Sequence, residues 1–310
     1  MTDVLIVARY YPGHGLGHVT RMVGLANYMA EHTANSIHLL TNYPLEALSI
    51  KINQRLIRSE TLDRYRTAVF DSVYNIRYAV PRPAEEVELL NAVSAVTEKM
   101  VAMDYNRSDE YIFDEAINLF DHKTQSDISV NNKVHTDLDY VILRNEITST
   151  KNTKVAQHTQ PHILITLGAE NQRALELLNV INGKSGWAVT VMEGISKSLI
   201  PPNTLTNCTF VPFTNNMGKY IKQSDLVVCN GGTTLLESLY IGNPIIAIPC
   251  NEFETTFIAH VDKQAGLYTL DDLDYLKDNY NNKGFRKTVA HRYQTVVTGK
   301  GKEKIVQILF

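Results

Sequence analysis

The feature that most constrains this chain is a short apolar run that ends in glycine and leads into a helical pattern. It occurs at "DVLIVA" (3–8) before "YYPGHGLGHVTRM", at "HILITLG" (162–168) before "NQRALELLNVIN", and at "DLVVCNGG" (225–232) before "TTLLESLYIG". A strand covered on both faces is apolar throughout, so such runs read as buried parallel strands. The stretch after the first run repeats apolar residues at Val19, Met22, Val23, Ala26 and Met29, one face of a helix that must lie against a sheet. "SIHLLTN" (36–42) is the next strand. The order strand, glycine turn, helix, strand is that of an open parallel α/β sheet.

A chain of 310 residues exceeds the usual size of one core. The polar, aperiodic "TSTKNTKVAQHTQP" (148–161) ends at Pro161 and reads as the linker between domains at 1–155 and 156–310. Beyond it we expect strands at 162–168, 187–193, 208–213, 225–232 and 244–249, and helices at 171–182, 216–224 and 233–242, the last stopped by Gly242. Before it, 85–105 reads as helix, 111–120 fits strand or helix, 125–139 reads as loop, and 140–147 fits a strand. Ligands of such sheets bind at the carboxyl ends of strands, so a cleft between the domains is the expected site.

With 30 basic and 33 acidic residues, the chain has no electrostatic footprint for nucleic acid or an anionic membrane. Cys208, Cys229 and Cys250 form neither a CxxC pair nor a zinc spacing and read as reduced core thiols. No signal segment or membrane span is legible, and a cytoplasmic location is expected, with peripheral membrane association left open.

The glycine turns at Gly13–Gly17, Gly168 and Gly231–Gly232 each place backbone N–H groups and a helix start at a strand's carboxyl end. There an anion meets unpaired amides and the positive end of a helix dipole. None fits a P-loop or a dinucleotide fingerprint. Thr233 and Thr234 open a helix, and Glu237 lies on the same face as Thr233. Phosphate at the helix tip and a ribose diol on the carboxylate would make a nucleotide grip; a capped surface helix accounts for the same residues. His18 and Arg21 share a helix face opposite the apolar stripe, and His14 lies within the glycine turn. A neutral imidazole at a cleft lip suits a general base, and an arginine beside it can orient it or pair with phosphate. Asp114 and Glu115 read as a solvated helix start, with acceptor-side carboxylates as the alternative, His260 and Asp262 as an exposed helix face, and "LDDLD" (270–274) as a helix start.

The run "FVPFTNNMGKYIKQSDLVVCNGGTTLLESLYIGNPIIAIPCNEFE" through "AHVDKQAG" resembles the nucleotide-sugar-binding C-terminal domain of GT-B glycosyltransferases, most closely the MurG-type enzymes of glycosyltransferase family 28. "ARYYPGHGLGHVTRM" is similar to the N-terminal loop of that superfamily, including UDP-sugar hydrolases of the pseudaminic-acid pathway with their G-x-GH-x-x-R pattern, and to the corresponding region of L-arabinokinases. The resemblance covers 3–30 and 210–266, extends to 162–175, and leaves 45–155 without a counterpart. It implies two Rossmann-like parallel-sheet domains facing a cleft. It also implies a ribose-binding role for Glu237, diphosphate contacts at Gly231, Gly232, Thr233 and Thr234, a segment framing the base at Phe213, and a glycine turn at Gly168. In the N-terminal loop it implies substrate contact at Gly15 and Gly17 and a histidine, His18, at the reacting centre, with Arg21 and His14 as catalytic candidates. Where the family carries an Asp/Asn-Gln pair on the donor sugar, this chain has Phe253–Glu254, which makes Glu254 a candidate sugar ligand.

The reading that follows is a metal-independent inverting glycosyltransferase, needing no cofactor, that uses a UDP-sugar and an acceptor hydroxyl. The acceptor stays open among glycan, lipid-linked sugar, metabolite, protein and modified nucleic-acid base. A nucleotide-sugar hydrolase and a non-catalytic nucleotide-sugar-binding protein are the alternatives.

Overall fold

A computed structural model describes residues 2–12, 17–48, 50–76, 80–107, 112–120, 130–131, 133–150, 159–167, 177, 180–181, 186–192, 208–212, 214 and 216–310. The chain forms two compact units, Met1–Arg144 with Gly299–Phe310, and Asn145–Thr298.

The first unit holds a seven-stranded sheet. Its strands are β1 (Thr2–Ala8), β2 (Ile37–Thr41), β3 (Leu56–Arg58), β4 (Tyr65–Asp71), β5 (Thr97–Met103), β6 (Glu115–Asn118) and β7 (Lys133–Thr136). The order is β3-β2-β1-β4-β5-β6-β7, and every pairing is parallel. Helices α1 (Gly17–His32), α2 (Val73–Ile76) and α3 (Ala84–Ala95) follow β1 and β4. Alternation along β1 explains the two-sided core. Val4 and Ile6 pack with Val19, Met22 and Ala26 of α1, while Leu5 and Val7 pack with Phe70, Leu90, Val93 and Phe113 on the other face.

The second unit holds a five-stranded parallel sheet in the order β10-β9-β8-β11-β12. These strands are β8 (His162–Thr166), β9 (Ala188–Met192), β10 (Cys208–Val211), β11 (Leu226–Cys229) and β12 (Ile245–Ala247). Helices bounded within the described residues include α4 (Asn145–Thr150), α5 (Met217–Gln223), α6 (Thr233–Ile241), α7 (Glu252–Ala265), α8 (Leu273–Asn279) and α9 (Lys283–Val296). Gly242 ends α6 in the left-handed region at φ 96°, as the sequence suggested. A Cβ there would sit 2.7 Å from that of Ala290, so α9 packs where only glycine fits.

Several expectations need correction. The division falls at Arg144/Asn145 instead of 155/156, because α4 docks on α5, where Glu146 Oε2 accepts from the Gly218 amide at 3.0 Å. Residues 151–158 of the expected linker lie outside the described residues. Helix α10 (Gly301–Leu309) returns to the first unit, burying Ile305 and Leu309 in the α1 core. The helix expected over 85–105 stops at Ala95, and β-branched Val96 and Thr97 turn the chain into β5. The ambiguous 111–120 contributes β6, part of the expected loop is β7, and 140–147 holds no strand. Glu115 therefore opens a strand, paired with Lys99 and His135 at 3.0 Å each, and Asp114 is the residue before it. Cys229 is buried, but Cys250 is exposed and is no core thiol. Among the described residues no helix is long and apolar enough to cross a membrane.

Candidate active site

In the first sheet, strand order reverses between β1 and β4, the switch point where open α/β sheets bind ligands. The loop leading into α1 leaves β1 there, and Asp71 is the last residue of β4, in register with Ala8. Asp71 is fully buried, and its Oδ1 lies 2.7 Å from His18 Nδ1. Arg21 grips the same carboxylate with two nitrogens, Nε to Oδ2 at 2.5 Å and Nη2 to Oδ1 at 2.7 Å. Its third nitrogen, Nη1, pairs with Asp104 Oδ2 just beyond β5.

Burial by itself would raise the Asp71 carboxyl, but the charges of Arg21 and His18 outweigh it and hold the carboxyl down to about 2. Burial would likewise lower the Arg21 guanidinium, and Asp104 and Asp71 together push it above its ordinary value. An ionised carboxylate only accepts, so the hydrogen between it and the imidazole resides on His18 Nδ1. Nε2 is then the basic nitrogen of the ring. Arg21 Nη2 lies 3.1 Å from Nδ1, but both donate to Asp71, so this is a shared acceptor and no bond between them. Asp104 is the one non-glycine residue with positive φ (49°) among the described residues. Aspartate tolerates that conformation at a cost of order 1 kcal/mol, a strain that belongs where geometry is being enforced.

A second buried network holds Tyr11, beyond the end of β1. Glu86 of α3 accepts from Tyr11 Oη, from Ser72 Oγ at 2.8 Å and from Arg82. Arg82 also donates to Asn75 Oδ1 at 2.8 Å, and the Asn75 amide donates to the Met103 carbonyl at 2.8 Å. Burial and the neighbouring Glu86 charge raise the Tyr11 hydroxyl above its ordinary value.

In the second sheet the order reverses between β8 and β11. Asn230, Gly231 and Gly232 leave β11 at that point. Gly232 caps α6 with no side-chain bond to the helix start. Gly232 and Thr233 are exposed, and a Cβ on Gly232 would meet nothing within 4 Å. Packing within the chain thus does not demand glycine there, whereas close approach of a ligand to the backbone would. Gly231 differs, because a Cβ would lie 3.0 Å from Glu254 Cβ and Ile258 Cγ1 on α7. From Leu235 onward α6 is buried, and Glu237 is fully enclosed.

With the geometry of both units in hand, residues 145–265 match the model of the glycosyltransferase family 28 C-terminal domain. The matched stretch lies within the second unit. A curated relative, an uncharacterised glycosyltransferase of Methanosarcina mazei, is 31% identical over 123 residues, or 38% of this chain. The match spans only 31% of that protein's length. Among solved structures, a glycosyltransferase from Rickettsia africae superposes with a TM-score of 0.63 at 11% identity, over 99% of this chain and 97% of the other. MurG of Acinetobacter baumannii gives 0.57 at 13% identity, over 100% and 99%. At such identities these likenesses establish the fold, which is that of the GT-B glycosyltransferases.

Within the matched stretch, Thr233 and Thr234 open α6 as the sequence suggested, and Glu237 lies inside the unit although it shares a helix face with exposed Thr233. The reason is that α6 is apolar on its remaining faces and its body is packed between neighbours, leaving only its tip outside. Glu254 accepts from the Gly231 and Cys250 amides. His14, Gly15, Gly168 and Phe213 lie outside the described residues. Gly17 is exposed as the first residue of α1, and a Cβ there would meet nothing within 4 Å. His260 and Asp262 are on α7, bonded to Gln264 and to the Leu267 amide. Asp71, Asp104 and Glu86 are missing from the sequence reading. An aspartate closing "YRTAVFD" was the available signal for Asp71; nothing local marks Asp104 or Glu86.

Proposed function

We propose that the protein is a metal-independent inverting glycosyltransferase that moves a sugar from a UDP-sugar to an acceptor hydroxyl. The observation that carries this reading is the His18–Asp71 pair at the switch point of the first sheet, locked by Arg21. In the proposed reaction His18 Nε2 takes the acceptor proton as the acceptor oxygen bonds the anomeric carbon. The bond from that carbon to the diphosphate oxygen breaks, its electron pair leaves with the diphosphate, and the centre inverts. Asp71, already ionised, stabilises the imidazolium so formed.

The leaving diphosphate is assigned to the tip of α6, where the amides of Thr233 and Thr234, their hydroxyls and the helix dipole serve in place of a metal's charge. Glu237 is assigned to the ribose diol; it is fully enclosed in the ligand-free chain, so this contact requires its carboxylate to be uncovered when the nucleotide binds. The family 28 match over 145–265 supports the donor assignment, since the resemblance of this run implies a nucleotide-sugar site there. His18 and Arg21 also satisfy the pattern shared with UDP-sugar hydrolases, so water is the competing acceptor.

The test is a donor panel of nucleoside-diphosphate sugars, run with and without an acceptor library and with EDTA. Release of UDP that requires an acceptor, persists in EDTA and falls by about 10²–10⁴ in His18→Ala supports the transferase. UDP release at full rate without an acceptor makes the protein a hydrolase. Nucleotide binding without turnover on any donor rejects both, and activity abolished by EDTA rejects metal independence.

A further inference from the structure

Resting on the diphosphate reading of the α6 tip, we infer that Glu254 is a positioning residue which clamps the glycine turn to the neighbouring loop, and that it does not hold the donor sugar. One oxygen, Oε2, accepts from the Cys250 amide at 2.9 Å, the Gly231 amide at 3.3 Å and Asn230 Nδ2 at 3.3 Å. Cys250 follows β12, whereas Asn230 and Gly231 follow β11, so a single carboxylate ties together the two loops at adjacent strand ends. Asn230 Nδ2 also lies 3.3 Å from the Ile248 carbonyl, a second tie between the same loops.

Glu254 is itself held at both ends. Its own amide donates to Asn251 Oδ1 at 2.8 Å, the side-chain cap of α7. In an ordinary capping box the glutamate at this position would reach back to the amide of the capping residue. Here it reaches one residue further, to Cys250, and across to the other loop. The close approach of Gly231 to Glu254 Cβ makes that reach possible. Both carboxylates of the region, Glu254 first and Glu237 second, add to burial in raising the Cys229 thiol at the end of β11.

Two consequences follow. The Gly231 amide is spent on Glu254, so the amides left for a diphosphate begin at Gly232 and continue into α6. A fixed negative charge also stands beside that anion site, so Glu254 contributes through geometry while its charge opposes the ligand. Neutralising the carboxylate while keeping its shape should therefore be harmless or favourable. Removing it should be costly, and equally so with or without a sugar on the diphosphate.

The experiment uses the full chain and compares wild type, Glu254→Gln and Glu254→Ala. Calorimetry measures UDP and UDP-N-acetylglucosamine binding, and hydrogen exchange follows the amides of 226–236 in the ligand-free protein. We expect Glu254→Ala to weaken both ligands by the same factor, about tenfold, and to speed exchange at Gly231. Glu254→Gln should bind UDP within about threefold of wild type or more tightly, and keep its exchange protection. A loss in either variant that appears only with the sugar nucleotide makes Glu254 a sugar ligand and overturns the inference. So does wild-type exchange at Gly231 in Glu254→Ala. If wild type binds neither nucleotide, the diphosphate reading falls, and the exchange comparison still decides whether the clamp exists.

Discussion

Replacing Asp71 by asparagine tests the core of the proposed site through two independent readouts. Asp71 is fully buried, and its carboxyl drops from the ordinary 3.8 to about 2 because the charges of Arg21 and His18 outweigh its burial. That drop corresponds to about 2 kcal/mol of stability at pH 7. A carboxyl lowered on folding stabilises above its unfolded value and loses the contribution as pH falls through its folded one. The contribution should be complete at pH 7, about half gone by pH 3, and absent below pH 2. Asparagine keeps the shape but cannot ionise. Asp71→Asn should therefore unfold at lower urea than wild type by about 2 kcal/mol at pH 7, with the gap narrowing toward pH 3. The catalytic readout is separate. With its oxygen toward Arg21, the asparagine amide turns a donor toward His18 Nδ1, which moves the ring hydrogen to Nε2 and removes the base. Turnover should fall by about 10²–10⁴, while UDP affinity, assigned to the second unit, should stay within about threefold. Equal urea midpoints at pH 7 would refute the electrostatic argument, and a turnover loss below about tenfold would remove Asp71 from the mechanism.

Glu237→Gln should weaken UDP binding by about one to two orders of magnitude, since charge-assisted bonds to ribose contribute roughly 1.5–3 kcal/mol each before desolvation. The loss should vanish with 2′,3′-dideoxy-UDP in calorimetry; an equal loss for both ligands makes Glu237 a structural residue of α6. Gly301→Ala should destabilise the protein by about 1–3 kcal/mol or more, because its Cβ would lie 2.2 Å from the Val141 carbonyl oxygen at the start of α10. A wild-type melting temperature would mean that α10 shifts away without cost. Asp104→Ala should lower turnover with KM unchanged, and Asp104→Asn should restore part of it, because asparagine accepts from Arg21 and tolerates the left-handed backbone at φ 49°. Turnover unchanged in Asp104→Ala would reduce this residue to a surface partner of Arg21.

What the sequence determines by itself is local and periodic. Apolar runs such as 3–8 and 225–232, bounded by glycine turns, read as strands covered on both faces, and the one-faced apolar spacing from Val19 to Met29 as a helix lying on them. Glycine turns after such strands mark strand ends, so Gly17, Gly231, Gly232 and Thr233 are legible in the sequence as turn and helix-start positions. The pairing of strands is not local, and this is where the tertiary structure decides. Asp71 reaches His18 and Arg21 only because β4 lies beside β1, 65 residues into the chain, and Asp104 reaches Arg21 only because β5 lies beside β4. No spacing along the sequence encodes those neighbours. Strands β5 to β7 were hard to read for a related reason: they are short, mixed in polarity, and take their conformation from the ladder they join. The same holds for α10, whose Ile305 and Leu309 face no partner in their own segment and find one only in the core beneath α1. Glu254 shows the limit most plainly. The family resemblance made it a candidate sugar ligand, but which groups surround a carboxylate depends on where two strand ends meet, and in the ligand-free chain they meet around the carboxylate itself.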